Sequence, residues 1–275
     1  MGSAGPTPIA DASTKADVSV LPESTPVGRC WIGTSGFAYP DWAPRFYPPG
    51  LPASDRLRHY ASRLAGVELN NTFYRRPSAA AVSGWVAATP PDFRFAVKAQ
   101  RGAIQRAFTA EPEPGFPFLT DPYRAFGQRL GVVLLRIPDV IRRDDERLRR
   151  VLAAWPPDMP LALELVDPSW DVDETHDAVR AIGASLVATD RDEGDAPTLR
   201  RIGGPLYLRL RRADYDDAAL ATWADRLEPF LAARDDAFVF FAHDAVGRGA
   251  ELALAFSRAM EARVPGSTRP DRTSP

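Results

Sequence analysis

Short apolar runs recur along the chain, each bounded by polar or turn-forming residues, at 30–34, 67–70, 93–98, 132–136, 161–165, 185–190, 206–209 and 237–241. Runs of this length, apolar on both faces, suit strands of a parallel sheet that is covered on each side. Between them apolar positions return at helical spacing, over 55–64, 79–88, about 121–130, 144–154, 173–183, 216–233 and 249–262, with only a weak turn at 196–202. Asp55, Ser78, Asp121 and Asp216 stand at or before the first turn of four of these segments, where a side-chain oxygen can take an unpaired backbone N–H. Alternating strands and helices imply right-handed crossovers, and eight such units favour closure over an open sheet. The expected architecture is therefore α/β, a single (β/α)8 TIM-barrel-like domain over 27–263 that is irregular at its sixth helix. Residues 1–26 and 264–275 are polar, proline-bearing and aperiodic, and read as disordered tails.

A barrel of this kind gathers its reactive groups at the carboxyl ends of the strands, and side chains alternate between lumen and helix layer. Reading each run to its end gives Ser35 and Gly36, then Glu68 and Asn70, Lys98, Arg136, Glu164, Asp190, Arg209, and His243 with Asp244. Period two puts Glu68 and Asn70 on one face, with Val67 and Leu69 toward the helices. Acids and bases converging on one mouth are costly to bury unless paired or engaged by a ligand. Arginine pairs (Arg75 and Arg76, Arg211 and Arg212) and aromatic residues, Tyr39 and Tyr74 among them, crowd the loops above. Arginine with interleaved rings suits phosphate or carboxylate recognition and stacking. Trp42, Phe46 and Phe73 read equally as a hydrophobic cap packing the long first loop.

Composition narrows the chemistry. A net charge of −2 argues against nucleic-acid or membrane binding through bulk charge, and no apolar run is long enough for a membrane span. The start of the chain has no basic segment followed by an apolar stretch, so the default location is cytoplasmic. The single cysteine, Cys30, lies in an apolar strand and excludes a disulfide framework or a cysteine-based zinc site. No G-x-G-x-x-G follows the first strand, so no dinucleotide cofactor is expected. His59 and His176 fall in helices, which leaves His243 and makes a multi-histidine metal site improbable. Of 34 basic residues only Lys15 and Lys98 are lysines. A lysine kept against such an arginine bias points to work that a guanidinium does not do.

The leading expectation is a mouth that binds a small phosphorylated or carboxylated molecule, with hydrolase or lyase chemistry. Lys98 and Arg209 would neutralise the anion, Asn70 and the backbone N–H groups of Ser35 and Gly36 would assist, and Glu68 or Glu164 would act as general acid or base. Imine chemistry at Lys98 is a further option. The alternatives are a nucleic-acid-binding barrel that uses the arginine and aromatic rim, and a scaffold plugged by its own ion pairs.

The segments GTSGFAYPDW with FYP, VELNNTFYRRP, Trp85 with TPPDFRFAVKA, LLRIP, LELVDPSW, LYLRL with a following DY, and FVFFAHD resemble the YecE-like barrels, domain-of-unknown-function family seventy-two, over roughly 31–256. The resemblance implies a TIM barrel and no particular activity. Ser35, Gly36, Tyr39, Trp42, Glu68, Asn70, Thr72, Phe73, Tyr74, Lys98, Glu164, Trp170 and Arg209 match its pattern. Arg136 stands where the family usually has glutamine, Val166 and Asp167 where it has Arg-His, Gln105 and Arg106 where it has Thr-His, Arg211 and Arg212 where it has His-Gly, and Ala242 and His243 where it has two asparagines. The departures imply a divergent, more cationic mouth.

Overall fold

Eight parallel strands close into one ring in chain order in the computed structural model, which describes residues 1–2, 26–109 and 115–268. They are β1 Cys30–Ser35, β2 Gly66–Leu69, β3 Arg94–Lys98, β4 Leu130–Ile137, β5 Leu161–Leu165, β6 Ser185–Asp190, β7 Leu206–Leu210 and β8 Ala237–Phe241. Each lies where the apolar runs place it. The helices are α1 Arg56–Arg63, α2 Asn71–Tyr74, α3 Ala79–Ala87, α4 Arg101–Thr109, α5 Gly115–Thr120, α6 Asp145–Ala154, α7 Asp173–Ala181, α8 Asp217–Ala232 and α9 Arg248–Arg263.

Strand parity sorts the core into two compartments. Val67, Leu69, Val97, Leu135, Leu163 and Leu208 pack outward against the helices. A separate lumen cluster holds Ala96, Val132, Leu134, Ala162, Tyr207, Phe238 and Phe240, with Trp31 stacked on Phe238 at 5.0 Å. Rings from β7 and β8 join the small side chains of Ala96 and Ala162 in this cluster, so large and small residues together fill the barrel floor. Truncating Phe240, which is fully buried, would cost roughly 3–5 kcal/mol.

The helices follow from their patterns. In α8, Leu220, Trp223, Ala224, Leu227 and Leu231 recur at three- and four-residue steps and are buried, and Asp216 accepts the Ala219 N–H at 2.8 Å. Ser78 likewise caps α3, accepting from Ala81 at 3.2 Å. Asp55 does not cap α1: its backbone is already helical and its carboxylate reaches Arg58 at 3.4 Å instead. The segment read as a helix near 121–130 is a 3-10 helix, Asp121–Arg129, and the interval before it carries α4 and α5, which apolar periodicity did not announce.

The sixth helix is absent, and 191–205 runs as irregular chain. Gly194, Pro197, Gly203, Gly204 and Pro205 interrupt any helical pattern there. Beside this connection β5 and β6 pair only at Ala162–Ser185 and Leu163–Leu186, then diverge around a cavity of about 370 Å³.

At the C-terminal end the barrel runs further than the sequence implied. Val264, Ser267 and Thr268 are buried, and the Ser267 carbonyl accepts the Cys30 N–H at 2.8 Å. Residues 264–268 thus belong to the folded body, because they satisfy the first amide of β1. Residues 3–25 and 269–275 of the expected tails lie outside the described residues. Among the described residues no helix is long and apolar enough to cross a membrane.

Candidate functional site

Two buried glutamates organise the carboxyl-terminal mouth. Register places Ser35 beside Glu68, Arg136 beside Glu164, and Thr189 beside Arg209. Glu68 is completely buried and is met from β1 and from β7 with the residue just past its end. Ser35 Oγ donates to it at 2.7 Å, Tyr207 Oη at 2.8 Å, and Arg209 and Arg211 each at 2.9 Å. Arg209 is bidentate between the two acids, with its other terminal nitrogen 2.6 Å from Glu164. Glu164 also accepts from Thr189 at 2.9 Å and pairs with Arg136 Nε at 3.2 Å.

Left alone, burial would push both carboxyls up. Arg209 and Arg211, with the Ser35 and Tyr207 hydroxyls, overcome it at Glu68 and hold that acid far below the usual carboxylate range. Arg209 and Arg136 do the same for Glu164, to a lesser extent. Both therefore remain ionised, and Glu68 has a donor on each oxygen. The arginines are not saturated: the Nε–H groups of Arg209 and Arg211 are buried with no acceptor.

Lys98 closes the β3 side. Its ammonium lies 4.3 Å over the Phe73 ring, and among the described residues no carboxylate is within ion-pairing distance. Burial lowers its pKa, which Glu68 partly offsets and Arg209 reinforces. Across the opening His243 stacks on Tyr39, with ring centres 5.0 Å apart and planes 2° from parallel. Burial and the charge of Arg211 hold the imidazole below its ordinary pKa, toward the neutral form. Tyr39, Asn70, Phe73, Tyr74, Lys98, Arg209, Arg211 and His243 enclose a cavity of about 260 Å³. Beyond Phe73 it adjoins an outer groove of about 480 Å³, lined by Arg101, Ile104, Arg136 and 138–141.

The strand-end expectation holds for Glu68, Lys98, Arg136, Glu164, Arg209 and His243, which share this mouth, and for Tyr39, Asn70 and Tyr74 on its rim. It fails for Asp190. That side chain, fully buried, turns into the helix layer, where Arg212 (2.9 Å), Tyr215 (2.9 Å) and the Trp223 indole (3.1 Å) donate to it. Parity is the reason: Thr189 faces the lumen, so Asp190 cannot. The backbone of Ser35 and Gly36 is not free to hold an anion either. The Gly36 N–H donates to the Glu68 carbonyl at 2.8 Å, and Ser35 lies within the β1 ladder. Gly36 is required by its positive φ of 88° and by Tyr39, whose hydroxyl oxygen a Cβ would approach to 2.5 Å. Trp42, Phe46 and Tyr47 are buried as an aromatic cap, whereas Phe73 faces the cavity.

Arg211, Tyr207 and Thr189 are network members that strand-end reading missed, Arg211 being expected among the arginines of the loops above. Counting back by twos from Arg211 through Arg209 to Tyr207 puts all three on one face, a signal present in the sequence. Asp244 caps α9, accepting from Val246 at 2.7 Å and Arg248 at 3.0 Å, so that helix N-terminus is already filled by the chain's own carboxylate. Among the described residues no group of three histidine, cysteine or acidic side chains is placed to hold a metal ion.

Residues 31–274 match the family described as protein of unknown function DUF72. The chain is 26% identical over 260 residues to UPF0759 protein YunF of Bacillus subtilis strain 168, covering 80% of this chain and 91% of YunF. Among solved structures, a DUF72 family protein from Thermotoga maritima MSB8 superposes with a TM-score of 0.71 at 26% identity, over 85% of this chain and 99% of that one. Another from Enterococcus faecalis V583 gives 0.66 at 21% identity, over 85% and 98% respectively, which bears on the fold alone.

Proposed function

The chain belongs to the DUF72 family of proteins of unknown function, and from that premise we propose that its barrel mouth binds a small phosphorylated or carboxylated molecule of the cytoplasm. Charge balance carries this reading. Glu68 and Glu164 face Arg136, Arg209, Arg211 and Lys98, so two carboxylates are set against four cations in a largely buried chamber. Uncompensated buried charge is expensive, and an entering anion would relieve it while accepting from unpartnered guanidinium N–H groups. The cavity is smaller than the ~300–1,000 Å³ of sites for drug-sized ligands, which fits a compact metabolite.

In this reading Lys98 and Arg211 meet the anion, Asn70, Tyr39 and His243 frame it, and Glu68 and Glu164 orient the arginines. The glutamates do not serve as the general acid or base expected from sequence, since both stay ionised and their oxygens are occupied. Thermal unfolding with inorganic phosphate and with pyruvate tests the proposal. A saturable rise in Tm that disappears in Lys98→Met and Arg211→Met is expected, equivalent to roughly 2.7 kcal/mol when the anion is at a hundred times its Kd. No rise with any member of a phosphate and carboxylate panel would remove it.

A second reading has one observation of its own. Tyr74 and Phe118 are 79% and 65% exposed, and Arg76 stacks on Phe118 at 4.2 Å, a rim on which bases could stack. Salt-sensitive retention on single-stranded DNA or RNA would support it, and no retention at low salt would end it.

A further inference from the structure

Lys98 is treated unlike every other cation of the mouth. Arg136, Arg209 and Arg211 each contact Glu68 or Glu164, whereas the Lys98 ammonium rests against Phe73. It is the last residue of β3, points into the lumen, and lines the 260 Å³ cavity with Arg211 and His243. It is also the only lysine among the described residues, in a chain where 34 basic residues include two lysines and therefore 32 arginines. Holding an anion needs no amine, because the neighbouring guanidiniums do that and present more donors. An amine offers what a guanidinium cannot, a lone pair once its proton is lost.

We propose that Lys98 is a nucleophile that condenses with the carbonyl carbon of a small anionic aldehyde or ketone, such as a 2-oxo acid or a phosphorylated aldehyde, to form an imine. This rests on the anion-binding reading above, with Arg211 holding the acid group while the carbonyl meets Nζ. Burial against Phe73 supports it by favouring the neutral amine. In the first step the Nζ lone pair forms the C–N bond, the carbonyl π pair moves to oxygen, and one proton passes from the nitrogen to that oxygen to give the neutral carbinolamine. In the second, that hydroxyl leaves as water while nitrogen gives up its remaining proton. Amine plus carbonyl compound thus equals imine plus water, with no oxidant or reductant. His243, kept toward its neutral form on the same cavity wall, can both accept and return these protons.

The test is borohydride trapping on the full chain, with pyruvate and glyceraldehyde 3-phosphate as separate probes and uncharged acetone as control, followed by peptide mapping. The chain supplies its own reference, since Lys15 and the N-terminal amine report unselective reaction. The expected result is a reduced adduct at Lys98 formed roughly tenfold or more faster than at those two amines, slowed by inorganic phosphate and absent in Lys98→Arg. An adduct spread evenly over all amines, none at Lys98, or acetone trapped as fast as pyruvate would overturn the proposal. Thermal unfolding with phosphate on the same preparation separates the two readings. A Tm rise without an adduct overturns the imine alone, and neither signal overturns both.

Discussion

Glu68 on β2 and Asp190 on β6 are both completely buried carboxylates, and both collect donors from arginine, tyrosine and a further side chain. They differ in which way their strands turn them and in what their partners leave over. Asp190 faces the helix layer, where one arginine balances its charge and Tyr215 and Trp223 fill its remaining lone pairs. Glu68 faces the lumen, shares Arg209 with Glu164, pairs with Arg211 as well, and leaves positive charge beside a cavity. A buried, well-bonded acid is thus ordinary architecture when its surroundings are neutral. It marks a site when the surroundings are not.

The sharpest way to break this contrast is to neutralise each acid. Glu68→Gln leaves Arg209 and Arg211 buried against a neutral amide and should cost roughly 3–5 kcal/mol in urea unfolding. Phosphate should recover part of that loss by entering the mouth. Asp190→Asn should cost somewhat less, because Arg212 is 36% exposed and can turn to water, and phosphate should recover none of it. Recovery of both, or of neither, would erase the distinction. Removing a single hydroxyl comes next: Tyr207→Phe and Tyr215→Phe should each lose about 1.5–3 kcal/mol, the worth of a hydrogen bond to a charged group. Only Tyr207→Phe should alter the Tm response to phosphate.

Acid unfolding gives a smaller, graded signal. Glu68 and Glu164 titrate lower in the folded chain than when unfolded, so their stabilisation is complete above the ordinary glutamate pKa of about 4.3. It is lost progressively as pH falls below that toward their depressed values. Stability measured below about pH 4.3 should therefore fall less steeply in Glu68→Gln than in the parent chain. Least of all, Lys98→Met should leave ligand-free stability within about 1 kcal/mol, or raise it slightly, since it removes a half-buried ammonium that lacks an ion pair.

Much of the barrel is written in the chain because both of its periodicities are local. Buried strands such as 161–165 and 237–241 stand out as short apolar runs that open after Pro160 and Asp236, and the glycines and prolines of 191–205 announce the missing helix. The mouth is legible to the same depth: parity pairs Glu68 with Asn70, and closure delivers Lys98, Glu164 and Arg209 to it. Asp190 lies outside it because a strand's last residue need not face inward, and Thr189 already holds that face. Arg211 belongs to it although it stands in a loop, because the lumen face of β7 continues one step past the last ladder residue. The helices α4 and α5 have no comparable signal, for their short segments carry no sustained stripe.

The bond from the Cys30 amide to the Ser267 carbonyl fastens the first strand to the last described turn at the barrel's amino-terminal rim. Entry and exit of the folded body are therefore neighbours, at the pole opposite the polar mouth. A reporter domain joined at either point would start on the far side of the molecule from the opening. A short bridge from 268 to 26, with new ends cut in 191–205, would re-thread the same ring in a different order.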